Sequence, residues 1–152
     1  MPETQEASTG WGGEVWMSSD GTVANLSELM EVRSFTPGNP TAERVETTHL
    51  KVANRRRTYT KGLIDSGEAQ IVLNARRGSD TYTDLKSALN NAGERYFRFN
   101  YPELGELVWT DDVMGEVTSV EEGSVEADTN MEITVTVSLG AVVASGAYVE
   151  PA

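Results

Sequence analysis

Met131-Glu-Ile-Thr-Val-Thr-Val-Ser-Leu139 is the stretch on which the fold turns. Met131, Ile133, Val135, Val137 and Leu139 alternate with Glu132, Thr134, Thr136 and Ser138, the period of two that gives a strand one buried and one wet face. β-Branched residues dominate the run and neither Gly nor Pro interrupts it, which favours a strand over a helix. The opposite face carries one carboxylate and three hydroxyls, with no cation and no large apolar group. It therefore faces solvent or a polar channel.

Working outward, Val113–Val120 forms a partner strand across the acidic connection Glu121–Asp128. Upstream, Arg95–Tyr101 sets Phe97 and Phe99 against Tyr96 and Arg98, Pro102–Gly105 turns, and Glu106–Thr110 returns as the second arm of a hairpin. A single helix is expected over about residues 81–91: Asp80 or Thr81 caps it, Tyr82, Leu85, Ala88 and Leu89 form its apolar stripe, and Gly93 takes the C′ position. Further strands fit Gly13–Ser18, Leu26–Phe35, Ala42–Thr48 and Glu68–Asn74. His49–Lys61, with Lys51, Arg55, Arg56, Arg57 and Lys61 and few large aliphatics, is expected as a long exposed loop. Loops longer than about 12 residues in compact domains commonly carry function or disorder. About eight short strands and one helix give a mainly β chain, an antiparallel β-sandwich or partly closed barrel. The expected division is a flexible N-terminal arm (1–12), one β domain (13–140) and a C-terminal segment (141–152).

At 152 residues the chain has material for one domain. Its 24 Asp and Glu against 12 Lys and Arg leave a net charge of −12, which opposes a phosphate-binding surface as the main business of the fold. Cysteine is absent and His49 is the single histidine, so disulfides, thiolate sites, cysteine nucleophiles and histidine cages are excluded. No cofactor is expected. The N-terminus lacks an apolar signal core, and no apolar run approaches the roughly 18 residues of a membrane helix. A soluble protein without membrane contact is expected.

The candidates for chemistry are weak. No serine sits in a Gly-x-Ser-x-Gly elbow, so a hydrolytic triad through His49 has no support. Asp111, Asp112, Glu116, Glu121 and Glu122 lack the Asp-x-Asp-x-Asp-Gly spacing of a calcium loop and serve equally as a solvated face. Arg55, Arg56 and Arg57 suit an acidic surface on another copy as well as plain solvation. Trp16 and Trp109 lie in strands and are expected in the core, whereas Trp11, in a glycine-rich arm, leans towards a partner.

Val32-Arg-Ser-Phe-Thr-Pro-Gly-Asn-Pro-Thr-Ala-Glu43-Arg-Val-Glu46-Thr-Thr-His, followed by Gly62-Leu-Ile-Asp65-Ser-Gly67-Glu, resembles the major tail tube proteins of long-tailed bacteriophages, in particular the lambda-type family. The order of features is similar over about residues 13–139: a strand ending in Thr-Pro-Gly, an acidic Thr-rich strand, a long loop, a Gly-Leu-x-Asp-x-Gly entry, a short helix, then Phe-rich and Val-rich hairpins. The immunoglobulin-like C-terminal domain of the lambda protein has no counterpart in this pattern. The resemblance implies a virion protein, assembled in the host cytoplasm, whose copies form stacked hexameric rings around a tape-measure protein and make the conduit for DNA, with no enzyme activity. On that view Arg55, Arg56, Arg57, Lys61 and Trp11 are inter-subunit contacts. Glu116, Thr118, Glu132, Thr134, Thr136 and Ser138 are the lumen-facing candidates, and DNA is met only in transit. The alternative is a monomeric ligand-binding β-sandwich that uses the same long loop to recognise carbohydrate or protein.

Overall fold

The computed structural model describes residues 8–149. In chain order the elements are β1 (Glu14–Ser18), β2 (Leu26–Glu28), β3 (Val32–Thr36), β4 (Thr41–Glu46), β5 (Tyr59–Asp65), β6 (Glu68–Asn74), α1 (Asp80–Asn90), β7 (Arg95–Glu103), β8 (Glu106–Glu122) and β9 (Glu132–Ala147). Seven strands form one antiparallel sheet in the order β2-β1-β7-β8-β9-β6-β3, and β4 and β5 pair only with each other. The expected mainly β architecture with one short helix is what forms.

The alternation at Met131–Leu139 acts as the period of two requires. Ile133, Val135 and Val137 are fully buried and lie opposite Leu73, Ile71 and Ala69 of β6 on one side. On the other side Val137 and Val135 meet Val117 and Val120 of β8. The same face continues through Phe97 and Phe99 of β7 and Val15 and Met17 of β1. Each such side chain contributes on the order of 1.5–3 kcal/mol. The sheet curls around this face: Phe35 of β3 lies 5.6 Å from Phe99 and 5.7 Å from Tyr101, between ring centroids, so the strand at one edge packs on the far half of β7. Leu85 and Ala88 of α1 join the same core.

Several expectations are corrected. The helix is capped by Ser79, whose Oγ accepts from Tyr82 N at 3.3 Å. Ser79 is the last extended residue, whereas Asp80 and Thr81 are already helical. Gly93, left-handed at φ 118°, lies one residue past the C′ position, because Asn91 is the C-cap. Leu26–Phe35 is two strands: Leu29 turns inward, buried, with its N–H on Val15 O at 2.9 Å, and Glu31 adopts φ 58°. Glu106–Thr110 and Val113–Val120 are one strand of 17 residues, because both halves pair with β7 or β9 without a break in direction. Strand β9 begins at Glu132 and continues beyond Leu139 to Ala147. Trp109 is not in the core: it is 45% exposed, its Nε1 donating to Asp111 Oδ1 at 2.9 Å. Trp16 is half-buried. The expected loop His49–Lys61 ends early, since Tyr59, Thr60 and Lys61 belong to β5 and pair with Glu46, Val45 and Arg44.

Candidate functional site

Two surfaces stand largely open among the described residues, and both adjoin the β6–β9 ladder. The first is the polar face of the sheet. Antiparallel pairing brings residues at one level onto the same side, so Glu116, Ser138 and Glu68 form one row across β8, β9 and β6, and Ser119, Thr136 and Gln70 form the next. Glu121, Thr134 and Val72 follow, and Glu132 sits opposite Asn74. Thus Glu116, Glu132, Thr134, Thr136 and Ser138 share a face. Thr118 stands at a bulge between Val117 and Ser119, exposed, with its Oγ1 on the Thr136 carbonyl at 3.3 Å. The strand itself brings no cation to this face, but Arg33 of β3 reaches it and pairs with Glu132. The sequence hides this contact, since it depends on β3 folding back beside β6. The sequence places Glu68 and Gln70 in a strand, but not as neighbours of Ser138 and Thr136.

The second surface is the β4–β5 arm. Every residue of β4 is exposed, and of β5 only Gly62 is partly covered. Its root is clamped on β9: Ser66 Oγ donates to Gly140 O at 2.9 Å and Leu139 N to Gly67 O at 3.0 Å. A Cβ on Gly38 would run into Leu139 and lie 2.6 Å from the Ser66 carbonyl, so only glycine lets the chain pass at that point. At the far end Thr47 N donates to Thr58 O at 2.8 Å, and Thr58 N to Thr48 Oγ1 at 2.8 Å. Asn54 and Arg55 take φ of 58° and 55° in the turn.

Charge divides between arm and body. Residues 41–65 hold six of the 12 cations against three carboxylates, net +3, which leaves −15 on the rest of the chain. In the body, Arg33, Arg76, Arg77, Lys86 and Arg98 each pair with a carboxylate. In the arm, Arg57 lies 3.9 Å from Glu46, and Arg44 stacks over Tyr59 at 3.9 Å from the ring centre. Lys51, Arg55, Arg56 and Lys61 have no ion pair among the described residues. Arg55, Arg56, Arg57 and Lys61 are thus brought together on the arm. Trp11 lies elsewhere, over the β7–β8 turn: a Cβ on Gly105 would come within 3.0 Å of its ring, and 77% of the side chain remains exposed. Residues 1–7 of the expected N-terminal arm lie outside the described residues.

Of the carboxylates considered for chemistry, Asp111, Asp112, Glu116 and Glu122 are structurally engaged, Glu116 accepting from Gly93 N at 3.2 Å, and Glu121 has no ion pair among the described residues. Asp112 accepts from Tyr96 Oη at 2.6 Å and from Arg98 Nε at 2.8 Å. Burial first, then the bond to Asp112, raises the Tyr96 phenol above its ordinary range, while the same carboxylate holds Arg98 more firmly charged. Glu122 accepts from Tyr82 Oη, which with Lys86 and Arg77 lowers its carboxyl below the usual value. Asp111 accepts from Trp109 and Ser145. His49 is exposed on the arm, its Nδ1 accepting from Lys51 N at 3.2 Å. Among the described residues no group of three or more His, Asp or Glu side chains is placed to hold a metal ion. No helix there is long and apolar enough to cross a membrane.

The family model described as lambda phage tail tube protein matches residues 13–144. No curated protein matches the chain. Among solved structures, the tail of an empty GTA particle, refined helically with C6 symmetry, superposes with a TM-score of 0.69 at 15% identity, covering 90% of this chain and 97% of that one. The tube-terminating cap of the anti-feeding prophage gives 0.71 at 11% identity, with 97% and 96% covered. The SPP1 tail tube gives 0.64 at 11% identity, with 93% and 80% covered.

Proposed function

The chain belongs to the lambda phage tail tube protein family, a structural component of the virion tail, and we propose that its copies form hexameric rings that stack into the tube through which DNA leaves the capsid. The observation that carries this reading is the arm. A two-stranded hairpin is marginal on its own in water. This one is exposed on β4 and nearly so on β5, and five of its six cations have no ion pair among the described residues. Such an element gains its ordering from another chain, and on a body of charge −15 the natural partner is a second copy of that body. Arg55, Arg56, Arg57 and Lys61 then make contacts between subunits, and Trp11 is an anchor at a separate face.

The polar face of β8, β9 and β6 suits the channel wall. Glu116, Glu68, Glu121, Thr134, Thr136 and Ser138 repel or ignore phosphate, so DNA slides past rather than binding. The C6 symmetry of the GTA tail, built from a similar fold, supports six copies per ring. A tape-measure protein inside the tube during assembly, assembly in the host cytoplasm, and the absence of catalysis complete the proposal. The monomeric ligand-binding module is not favoured, because the family model is that of a tail tube protein and the module leaves the acidic face without a role.

Negative-stain microscopy and light scattering of concentrated protein, with the other tail components present, should show tubes of uniform width. Persistent monomers under those conditions would overturn the reading.

A further inference from the structure

Resting on the tube reading, we propose that the tip of the arm on one copy docks on the β8–β9 connection of the next copy along the stack. Leu50 meets Val125 at the centre, with Arg55 and Arg56 facing Glu126 and Asp128 around it.

The root of the arm and the acidic connection sit at opposite ends of one ladder. The β6–β9 pairing runs from Glu68↔Ser138 to Asn74↔Glu132. The arm is rooted beside Leu139 and Gly140, whereas the connection joins Glu122 to Glu132. At about 3.3 Å per residue the root and the connection are on the order of 20 Å apart. No hydrogen bond or ion pair joins arm and connection within one chain among the described residues. Two different, complementary surfaces on one subunit make a heterologous contact that propagates as an open filament when its rotation does not close a ring.

Their chemistry matches on two independent counts. Residues 121–132 carry five carboxylates and no cation. Glu122 and Glu132 are taken by cations of their own chain, while Glu121, Glu126 and Asp128 have no ion pair among the described residues. Beside them lies an open cleft of about 380 Å³ lined by Ser124, Glu126, Thr129, Asn130 and Glu132, along with Arg33 and Gly123. Its acceptors suit a guanidinium. Each tip also presents one large apolar side chain amid charges: Leu50 is fully exposed and Val125 is 72% exposed. An apolar centre inside a charged rim is the usual anatomy of a specific interface.

The chain has no native cysteine, so the contact can be trapped directly. Leu50→Cys and Val125→Cys combined in one full-length chain, assembled into tubes and treated with a short bismaleimide, should give a ladder of covalent multimers beyond the dimer. Either substitution alone should stop at dimers. A second set reads the charges: Arg55→Glu with Arg56→Glu, or Glu126→Arg with Asp128→Arg, should each cut tube growth about tenfold or more, and the four together should recover it. Tubes without a ladder, or an arm variant that blocks growth and is not rescued by the reversed connection, would overturn this contact and leave the tube reading standing. A wild-type chain that never forms tubes with its tail components present would overturn both.

Discussion

Arg98 and Asp112 face each other across β7 and β8, with the guanidinium Nε 2.8 Å and Nη2 3.2 Å from the two carboxylate oxygens. They lie on the side of the sheet opposite Phe97 and Phe99. The carboxylate side chain is 9% exposed and the guanidinium 26%. Tyr96 Oη supplies a third bond to the same carboxylate. The pair therefore fixes the register of the two strands from the polar side while the phenylalanines fix it from the apolar side.

Removing the carboxylate strands a mostly covered cation. Asp112→Ala should cost about 2–3 kcal/mol, less than the roughly 3–5 kcal/mol of a fully buried pair because Arg98 keeps some contact with water. Chemical denaturation reads this. The Tyr96 phenol should titrate lower than in the wild type by absorbance, though not at its ordinary value, since burial is the larger cause of its rise.

Gly38 should not tolerate a side chain. Gly38→Ala forces a methyl into Leu139 and the Ser66 carbonyl, and should destabilise the fold by about 1–3 kcal/mol. It should also speed amide exchange at Leu139, whose N–H bonds to Gly67 at the arm root. Gly78→Ala is the control: nothing lies within 4 Å of its added Cβ, and its stability should stay within about 0.5 kcal/mol of the wild type.

Glu122 links β8 to the helix through Tyr82, Arg77 and Lys86, and its carboxyl titrates below the ordinary value. A depressed carboxyl stabilises the fold above its unfolded pKa and loses that contribution as pH falls through the folded one. Thermal melts of the wild type should therefore drop more steeply between about pH 5 and pH 3 than those of Glu122→Gln, and the two should converge in acid. Parallel curves would mean that Glu122 does not contribute.

Glu116 and Glu68 flank Ser138 in one row of the polar face. Glu116→Lys with Glu68→Lys should leave particles assembling normally and slow DNA delivery at low salt, with partial recovery as salt rises, because a ring of cations holds phosphates in a salt-dependent way. Glu132 is the wrong position for this test, as its substitution also frees Arg33. Wild-type delivery rates in the lysine variant would place this face away from the channel.

The sequence alone determined whatever depends on local periodicity and composition. Alternation within Met131–Leu139 placed Ile133, Val135 and Val137 in the core, because a strand exposes one face whatever it pairs with, while Met131 lies before the strand and is exposed. The apolar stripe of Tyr82, Leu85, Ala88 and Leu89 set the helix, and the ordered run from Val32 to Gly67 carried the family. The charge excess and the missing cysteine set the chemistry that was excluded. Tertiary structure decided what depends on residues far apart meeting. Arg33 reaches Glu132 only because β3 returns beside β6. Asp112 is a buried partner of Arg98 rather than part of a solvated run only because β8 lies between β7 and β9. The cationic loop became the end of a hairpin because Glu46 and Tyr59 pair across it, a choice made by backbone hydrogen bonding and a register that no local pattern encodes.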